Sequence, residues 1–293
     1  MTLQEFVNTL VASLVLGSVF SLVTIGYIVV YRASHVFNFM HPQFMLLGAL
    51  LYTSFYKGGY VSFVWAVGLS MVLVTALAAA IYVLIVDRAA ALPHWVQMIL
   101  TLGLSICSID LIQLRWGSNL RFLRLPLTIK VWHIPADAVV TNMDVAVLVT
   151  GSVLAGVLFW LLTKSPLAYR LDATAADPTL AAYSGISLRF WFAVAWAIAA
   201  AAAVIGGIAY STRIPVDTSL IDVGLLAFPA AMLGGMDSIH GAFIGAFILA
   251  VIQQFGTLLV GSEVSTAIAF SLVVLVLVFR PRGLFGSPVV ERV

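Results

Sequence analysis

Polar side chains stand at two places within otherwise apolar sequence, and both are candidates to bind a small polar solute. The first, residues 38–43, reads NFMHPQ and precedes an apolar run. Pro42 has no amide hydrogen and disfavours a helical conformation at His41, so free backbone carbonyls are expected beside two amides and an imidazole. A loop that only caps the next helix, with Asn38 at the N-cap, explains these residues equally well.

The second place, residues 234–241, reads GGMDSIHG and joins two apolar segments, the first of which has half the length of a membrane span. The tandem glycines Gly234 and Gly235 permit close backbone contact and unusual dihedral angles. Asp237 or Ser238 can cap the helix that follows. A simple turn between helices is an equal alternative, and neither place specifies a chemical reaction.

The sequence contains no pattern of catalytic, metal-binding or nucleotide-binding residues. Its five histidines and twelve acidic residues form no metal-ligand spacing such as HExxH, and there is no P-loop. We therefore predict no enzyme activity, no catalytic residues, no metal and no cofactor. Single polar residues in or beside apolar runs are expected to form interhelical hydrogen bonds or to lie near the membrane surface: Asp110, Gln113, Asp222, Gln253 and Gln254.

The composition places these residues in a lipid bilayer. The 293 residues are 62% hydrophobic and only 9% charged, and the mean hydropathy is +1.12, whereas a soluble domain carries about 25% charged residues. This excludes a disordered chain, a nucleic-acid binder with a broad basic face and a disulfide-stapled secreted domain. Cys107 lies in an apolar run and is expected to be a small core residue.

Nine apolar segments are candidate membrane crossings, because a helix needs about 20 apolar residues to cross ~30 Å of hydrocarbon. The second and seventh are short enough to be re-entrant. We therefore predict an all-α, polytopic membrane protein of one domain, residues 1–293, with eight to ten transmembrane or re-entrant helices. The predicted segments are Phe6–Tyr31, Phe39–Tyr56, Val61–Val86, Val96–Leu114, Val145–Leu162, Phe190–Tyr210, Val223–Leu233, Gly241–Leu259 and Ser265–Phe279.

Two longer connections interrupt these segments. Residues 115–144, rich in Arg, Trp and Pro, are predicted to be loop and interface. Residues 163–188 are predicted to fold as a compact lobe, with short helices at Leu167–Thr174 and Pro178–Tyr183 that end at Gly185. A small apolar face suits docking in a groove of a cytosolic partner, and packing of the lobe on its own membrane domain is the alternative. That face comprises Ala175, Ala176, Ala181, Ala182 and Tyr183.

Consecutive crossings place this lobe and the C-terminal tail on one side of the membrane and, with nine crossings, the N-terminus on the other. If the lobe is cytoplasmic, eight basic residues lie inside and six outside, a bias of the expected sign. The eight are Arg32, Arg88, Lys164, Arg170, Arg189, Arg280, Arg282 and Arg292, and the six are Lys57, Arg115, Arg121, Arg124, Lys130 and Arg213.

Four stretches between residues 26 and 286 are similar, in order, to motifs of one family. They read GYIVVYRASHVFNFMHPQFMLLGALL, YRLDATAADPTLAAYSGIS, AMLGGMDSIHGAFIGAFIL and FRPRGLFG. The first resembles a run ending N-F-A-[HQ]-G-E, and the second a coupling segment ending in Gly-Ile. The third and fourth resemble L-G-G-x-x-S-I-x-G-A and R-P-x-G-L-F-G. The chain is thereby identified as a member of the permease family of branched-chain amino acid ABC importers (LivH-like), whose relatives also import urea, amides and aromatic acids.

The resemblance implies a multi-pass permease of the bacterial inner membrane that works with other subunits and binds no nucleic acid. It implies a second permease (the same chain or a LivM-like relative), two cytosolic ATPase subunits and a periplasmic solute-binding protein. It assigns contact with an ATPase to Arg170, Ala175, Asp177, Pro178, Ala181 and Gly185. It assigns the translocation pathway to Asn38, Phe39, His41, Gln43, Gly234, Gly235, Asp237, Ser238 and His240.

Two departures from the family motifs concern the solute. Pro42 and Gln43 replace Gly-Glu, and His240 replaces a proline, so one carboxylate is missing and one imidazole is added. These changes suit an anionic or aromatic carboxylate solute. The functional alternatives are a self-sufficient secondary transporter or channel and a membrane scaffold without transport. A carrier of that kind is expected to have a buried charge relay or a clear inverted repeat.

Overall fold

The computed structural model describes residues 1–56, 61–126, 128–134 and 138–286. Within these ranges the chain is almost entirely helical. Its helices are α1 (Leu3–Ser34), α2 (His41–Phe55), α3 (Phe63–Leu84), α4 (His94–Trp116), α5 (Asn142–Lys164), α6 (Pro166–Ala176), α7 (Pro178–Tyr183), α8 (Leu188–Tyr210), α9 (Ser219–Gly234), α10 (Ile239–Val260) and α11 (Ser262–Phe279), with a 3₁₀ turn at Val86–Ala89.

Seven helices of the described ranges are long and apolar enough to cross a membrane: α1, α3, α4, α5, α8, α10 and α11. The short second and seventh segments of the sequence are α2, with 15 residues, and α9, with 16. The predicted all-α, polytopic fold class is confirmed. The break predicted at Gly234 is the end of α9.

Several helices extend beyond their predicted apolar bounds, because polar capping residues begin the first turn. Helix α1 starts at Leu3, where Thr2 and Glu5 form a reciprocal capping box. Helix α5 starts at Asn142, where Thr141 and Asp144 form another. A search for apolar residues misses such turns, since the capping box satisfies free amides with polar side chains.

The connection predicted as loop contains a small antiparallel hairpin, β1 (Val131–Ile134) and β2 (Ala138–Thr141). The Val139 amide donates to Asn8 Oδ1 near the start of α1, at 2.8 Å. Arg213, after α8, forms an ion pair with Asp144 at the start of α5. The hairpin and this ion pair therefore define one end of the bundle.

Helix α1 lies at the centre of the bundle, and every side chain from Val15 to Val30 is buried. It packs against α5, α8, α9 and α10. The ring of Phe6 lies 5.5 Å from that of Phe255, near the end of α10, so α1 and α10 are antiparallel. The end of α1 and the beginning of α10 consequently share the other end of the bundle.

Cys107 is exposed on α4, so the prediction that it is a core residue was wrong. An apolar run in a membrane protein faces lipid as readily as it faces protein, and hydropathy alone does not separate the two. The basic residues Lys57 and Arg292, used above to judge orientation, lie outside the described residues.

Candidate functional site

The segment between α1 and α2 is fixed to α4 by hydrogen bonds. Thr101 Oγ1 donates to the Phe37 carbonyl at 3.2 Å and lies 3.3 Å from the Phe39 amide, which donates to it. Asn38 Oδ1 accepts from the Met40 amide at 3.0 Å. The N-cap of α2 is Met40, so Asn38 shapes the turn before the helix and is not its N-cap.

His41 is the first residue of α2, and its imidazole is buried against the middle of α1. Its Nε2 lies 3.1 Å from the Val23 carbonyl, and its ring centroid lies 4.5 Å from that of Tyr27. When Nε2 donates to this carbonyl, Nδ1 is an acceptor. His41 Nδ1 and Asn38 Nδ2 are both buried and have no hydrogen-bond partner among the described residues, so this segment has one acceptor and one donor available to a water or a polar solute.

The Gln43 side chain binds some of the backbone carbonyls that are expected to be free near Pro42. Its side-chain amide lies 2.7 Å from Ser105 Oγ. In the orientation that satisfies both groups, its oxygen accepts from Ser105, and its nitrogen donates to the Phe39 and Met40 carbonyls at 3.1 Å each. The free carbonyls expected from the sequence are therefore occupied in part by Gln43 itself.

Helix α9 brings Phe228 against the same segment, a contact that the sequence does not predict. The Phe228 ring lies 5.1 Å from Phe37, 6.1 Å from the half-buried Phe39 and 5.8 Å from Tyr27. Phe228 stands in an apolar run with no distinguishing local signal. Only the packing of α9 beside α2 reveals that it belongs to this site.

The second candidate group, residues 234–241, is a tight turn between α9 and α10. A Cβ on Gly234 would overlap the carbonyl oxygen of Gly241, and Gly235 has a φ of +104°, which favours glycine. Ser238 Oγ accepts from the Gly241 amide at 3.0 Å, so the predicted cap is Ser238. Asp237 is exposed.

His240 stands apart from the segment that holds His41. It is exposed, and its ring lies 4.6 Å from that of Phe159 on α5. His41 instead packs on the middle of α1. The two imidazoles therefore occupy separate places in the bundle, and the role of each in the pathway stays a prediction.

The C-terminal tail packs on the turn between α9 and α10. The Leu284 amide donates to the Leu233 carbonyl at 2.9 Å, and the Phe285 amide donates to the Gly234 carbonyl at 3.0 Å. These bonds satisfy carbonyls that the end of a helix leaves free. Two motifs that are about 40 residues apart in the sequence thus form one structural unit, at the end of the bundle where α1 ends.

The lobe at residues 163–188 folds as two capped helices, close to their predicted bounds. Ser165 Oγ accepts from the Leu167 amide at the start of α6. Asp177 Oδ1 accepts from the Thr179 and Leu180 amides at 2.9 and 3.0 Å at the start of α7. Gly185, with a φ of +80°, follows the end of α7.

An ion pair joins the lobe to α1. Arg32 Nη2 lies 2.8 Å from a carboxylate oxygen of Asp172, and Arg32 Nη1 donates to the Leu162 carbonyl. Burial raises the pKa of Asp172, and the positive charge of Arg32 opposes that effect. The lobe is thereby tied to the end of the central helix.

The predicted coupling residues occupy different surfaces of the lobe. The Arg170 guanidinium lies 5.2 Å from the centre of the Trp191 ring. Ala181 is buried, whereas Gly185 is exposed. Tyr183 is 85% exposed and Leu180 is 63% exposed, so these two are large apolar side chains that α7 presents at the surface. Leu180 was absent from the predicted face.

Within the described ranges, no group of three or more His, Cys, Asp or Glu side chains is placed to hold a metal ion. The candidate site has two parts. One is the hydrogen-bonded, aromatic-lined segment between α1 and α2, and the other is the lobe of residues 163–188 at the end of the bundle.

We expect Gly26→Ala to lower the thermal stability of the protein. A Cβ at this position would lie 2.5 Å from His41 Cε1, and crowding of a packed core costs about 1–3 kcal/mol. The measurement is the thermal midpoint of the detergent-purified chain. The double variant Gly26→Ala/His41→Ala should recover part of the loss, because the smaller side chain removes the overlap. Equal midpoints for Gly26→Ala and the unmodified chain would contradict this packing.

The family match and the curated relatives of the chain name the same kind of permease. Residues 9–279 match the family described as the permease component of the branched-chain amino acid transport system. The high-affinity branched-chain amino acid permease BraD of Pseudomonas aeruginosa is 29% identical and covers 99% of both chains. The corresponding LivH proteins of Salmonella typhimurium and Escherichia coli are each 28% identical, over 98% of both chains.

A solved structure, PsaBC from Streptococcus pneumoniae in complex with Fab, superimposes with a TM-score of 0.49 at 15% identity. The match covers 92% of this chain and 90% of that chain.

Proposed function

The chain belongs to the branched-chain amino acid transport permease family and is a multi-pass protein of the inner membrane; on that premise we propose that it forms half of the translocation pathway of an ATP-driven importer. The solutes are amino acids or related small polar and carboxylate compounds. Its partners are a second permease, two cytosolic ATPase subunits and a periplasmic solute-binding protein. Support comes from the relatives, which are named as permease proteins of high-affinity transport systems.

The observation that carries the proposed coupling is the connection from the lobe to the polar segment through one helix. Arg32, at the end of α1, pairs with Asp172 of the lobe. Two turns earlier on the same helix, Val23 and Gly26 contact His41. A displacement of the lobe by an ATPase therefore reaches the pathway segment through α1, and each nucleotide state favours one arrangement by its differential contacts.

The proposed solute pathway includes the buried donor and acceptor between α1 and α2. Asn38 Nδ2 and His41 Nδ1 are the atoms there without a partner in the described structure. Gln43, which replaces a family carboxylate, is held by Ser105 and adds no negative charge. The Asn38 amide can donate to a solute carboxylate, and the lone pair of His41 Nδ1 can accept from an ammonium group.

Reconstitution tests this function directly. We expect ATP-dependent uptake in proteoliposomes that contain the chain, its second permease and its ATPases, supplied with the binding protein. Leucine, urea, an amide and an aromatic acid should be compared as solutes. Uptake of leucine and of no other solute would reject the hypothesis that the chain prefers an aromatic or anionic carboxylate. Uptake by the chain alone, without nucleotide, would overturn the proposal in favour of a secondary transporter or channel.

We also expect Arg32→Asp to reduce ATP-driven uptake, because it places two carboxylates together where an ion pair now fixes the lobe. The exchanged pair Arg32→Asp/Asp172→Arg should restore part of the uptake, since the attraction returns with reversed direction. Both side chains are partly exposed, so the pair contributes at most about 1 kcal/mol. Initial uptake rates check this expectation, and equal rates for the single and the exchanged variants would contradict it.

A further inference from the structure

A cavity of about 420 Å³ lies between the lobe and the rest of the bundle. One wall comes from the end of α1, and another from the 3₁₀ turn and the start of α4. The lobe and the start of α8 close the remaining sides. Its volume falls within the range of about 300–1,000 Å³ that is usual for small-molecule sites.

The position of the cavity follows from how the lobe is supported. Helix α6 packs against α1, α5 and α8. On the side that faces the 3₁₀ turn and α4, Thr174, Ala175 and Pro178 border the cavity instead. A molecule bound there would fill the space between the lobe and the α3–α4 connection.

The cavity lining combines an apolar part with both acidic and basic groups. Val30, Phe37 and Trp196 contribute apolar surface, and Val30 and Trp196 are themselves buried. Asp87 contributes a carboxylate, of which Oδ2 is paired with Arg189 at 3.1 Å. Its second oxygen is a suitable acceptor for an ammonium group, because a carboxylate can accept several hydrogen bonds.

Two imidazoles border the same cavity. His35 ends α1 in a left-handed conformation, with a φ of 55°, and His94 begins α4. Their ring N–H groups are suitable donors to a carboxylate. An apolar surface beside one anionic group and two imidazoles matches the chemistry of a free amino acid with an aliphatic side chain.

We propose that this cavity is a regulatory site for a free aliphatic amino acid that enters from the cytosol. The proposal rests on the proposed function, which makes the lobe the coupling element. The bound molecule opposes movement of the lobe toward the α3–α4 connection, and an aliphatic amino acid that accumulates in the cytosol thereby slows uptake. The cavity is bordered by His35 and Phe37, which precede Asn38 in the chain, and its lining does not include Asn38 or His41.

The test uses proteoliposomes of the complete importer loaded with L-leucine at millimolar concentration. Internal leucine should slow the initial uptake of labelled solute. Ala90→Trp, which places an indole in the cavity lining, should lower uptake into empty vesicles as bound leucine does, and internal leucine should cause no further inhibition. Ala91→Trp, one residue away and outside the cavity lining, is the matched control and should remain inhibited. Equal inhibition of both variants, or no inhibition of the unmodified importer, would overturn the proposal.

Calorimetry on the detergent-purified chain tests the site without transport. L-leucine should bind, and isovalerate and isoamylamine should bind more weakly because each lacks one charged group. His94→Ala should weaken binding about 10-fold, the effect of losing one hydrogen bond to a charged group. Leucine binding that is lost in Ala90→Trp supports the site, whether or not the importer transports solute. A failure of the importer to transport would count only against the proposed function.

A lipid is the competing occupant of the cavity. Native mass spectrometry that finds a phospholipid retained by the unmodified chain and lost from Ala90→Trp would overturn the proposal. The proposal would be supported if the unmodified chain and Ala90→Trp retain the same lipids and only the unmodified chain binds leucine.

Discussion

Replacing Gly245 with leucine is expected to prevent the chain from folding into its native bundle. A Cβ on Gly245 would overlap the Ala230 carbonyl oxygen and would lie 2.8 Å from the Gly234 amide nitrogen. Both atoms belong to the backbone of α9, so no rotation of a side chain relieves the overlap. Added core volume costs about 1–3 kcal/mol even when side chains can move, and separating two helix backbones costs more.

The same replacement at Gly156 is the matched control. Gly156 lies on α5, and a Cβ there would meet no atom of the described residues within 4 Å. The measurement is the yield of monodisperse protein after mild solubilisation, together with its thermal midpoint. We expect Gly156→Leu to behave like the unmodified chain and Gly245→Leu to be lost to aggregation or degradation. Similar yields and midpoints for the two variants would show that α9 and α10 do not pack as described.

The second large effect is expected from Asp177→Lys, which should abolish ATP-driven uptake and preserve membrane insertion. Asp177 holds two amides at the start of α7, a helix of only six residues. Helices this short are unstable without such support, and loss of an N-cap costs about 0.5–2 kcal/mol. Lysine also places a positive charge at the positive end of the helix dipole.

Asp177→Asn is the control for this prediction, because asparagine retains an acceptor oxygen and caps helices well. It should retain most of the uptake. Gly185→Asp should resemble the lysine variant, since its φ of +80° is unfavourable for most other residues. Membrane insertion is checked by extraction and protease protection, and uptake by labelled solute. Normal uptake by both Asp177→Lys and Gly185→Asp would contradict the role of the lobe in coupling.

The solute pathway was predicted from the sequence only as a set of polar residues. That His41 lies in an apolar run is visible in the sequence, but its contact with Gly26 depends on the crossing of α1 and α2. Phe228 carries no local signal, and it joins the segment because α9 packs beside it. The sequence also misplaced Cys107, because hydropathy does not distinguish lipid-facing from protein-facing residues.

The sequence by itself determined the elements of this protein. Apolar runs long enough to cross a bilayer must form helices there, because each backbone amide and carbonyl needs a partner inside the segment. The tandem glycines mark the end of α9 at Gly234, and Asp177 and Pro178 mark the boundary between α6 and α7 in the lobe. These are local requirements, so local sequence is sufficient to predict them.

The tertiary structure decided which elements meet. The burial of α1, the contact of the tail with Gly234 and the cavity beside the lobe all join residues that are distant in sequence. In a bilayer the apolar faces of helices are equally compatible with lipid and with one another. The choice of neighbours therefore depends on close packing at small residues and on a few hydrogen bonds across helices, and these appear only when the helices are assembled.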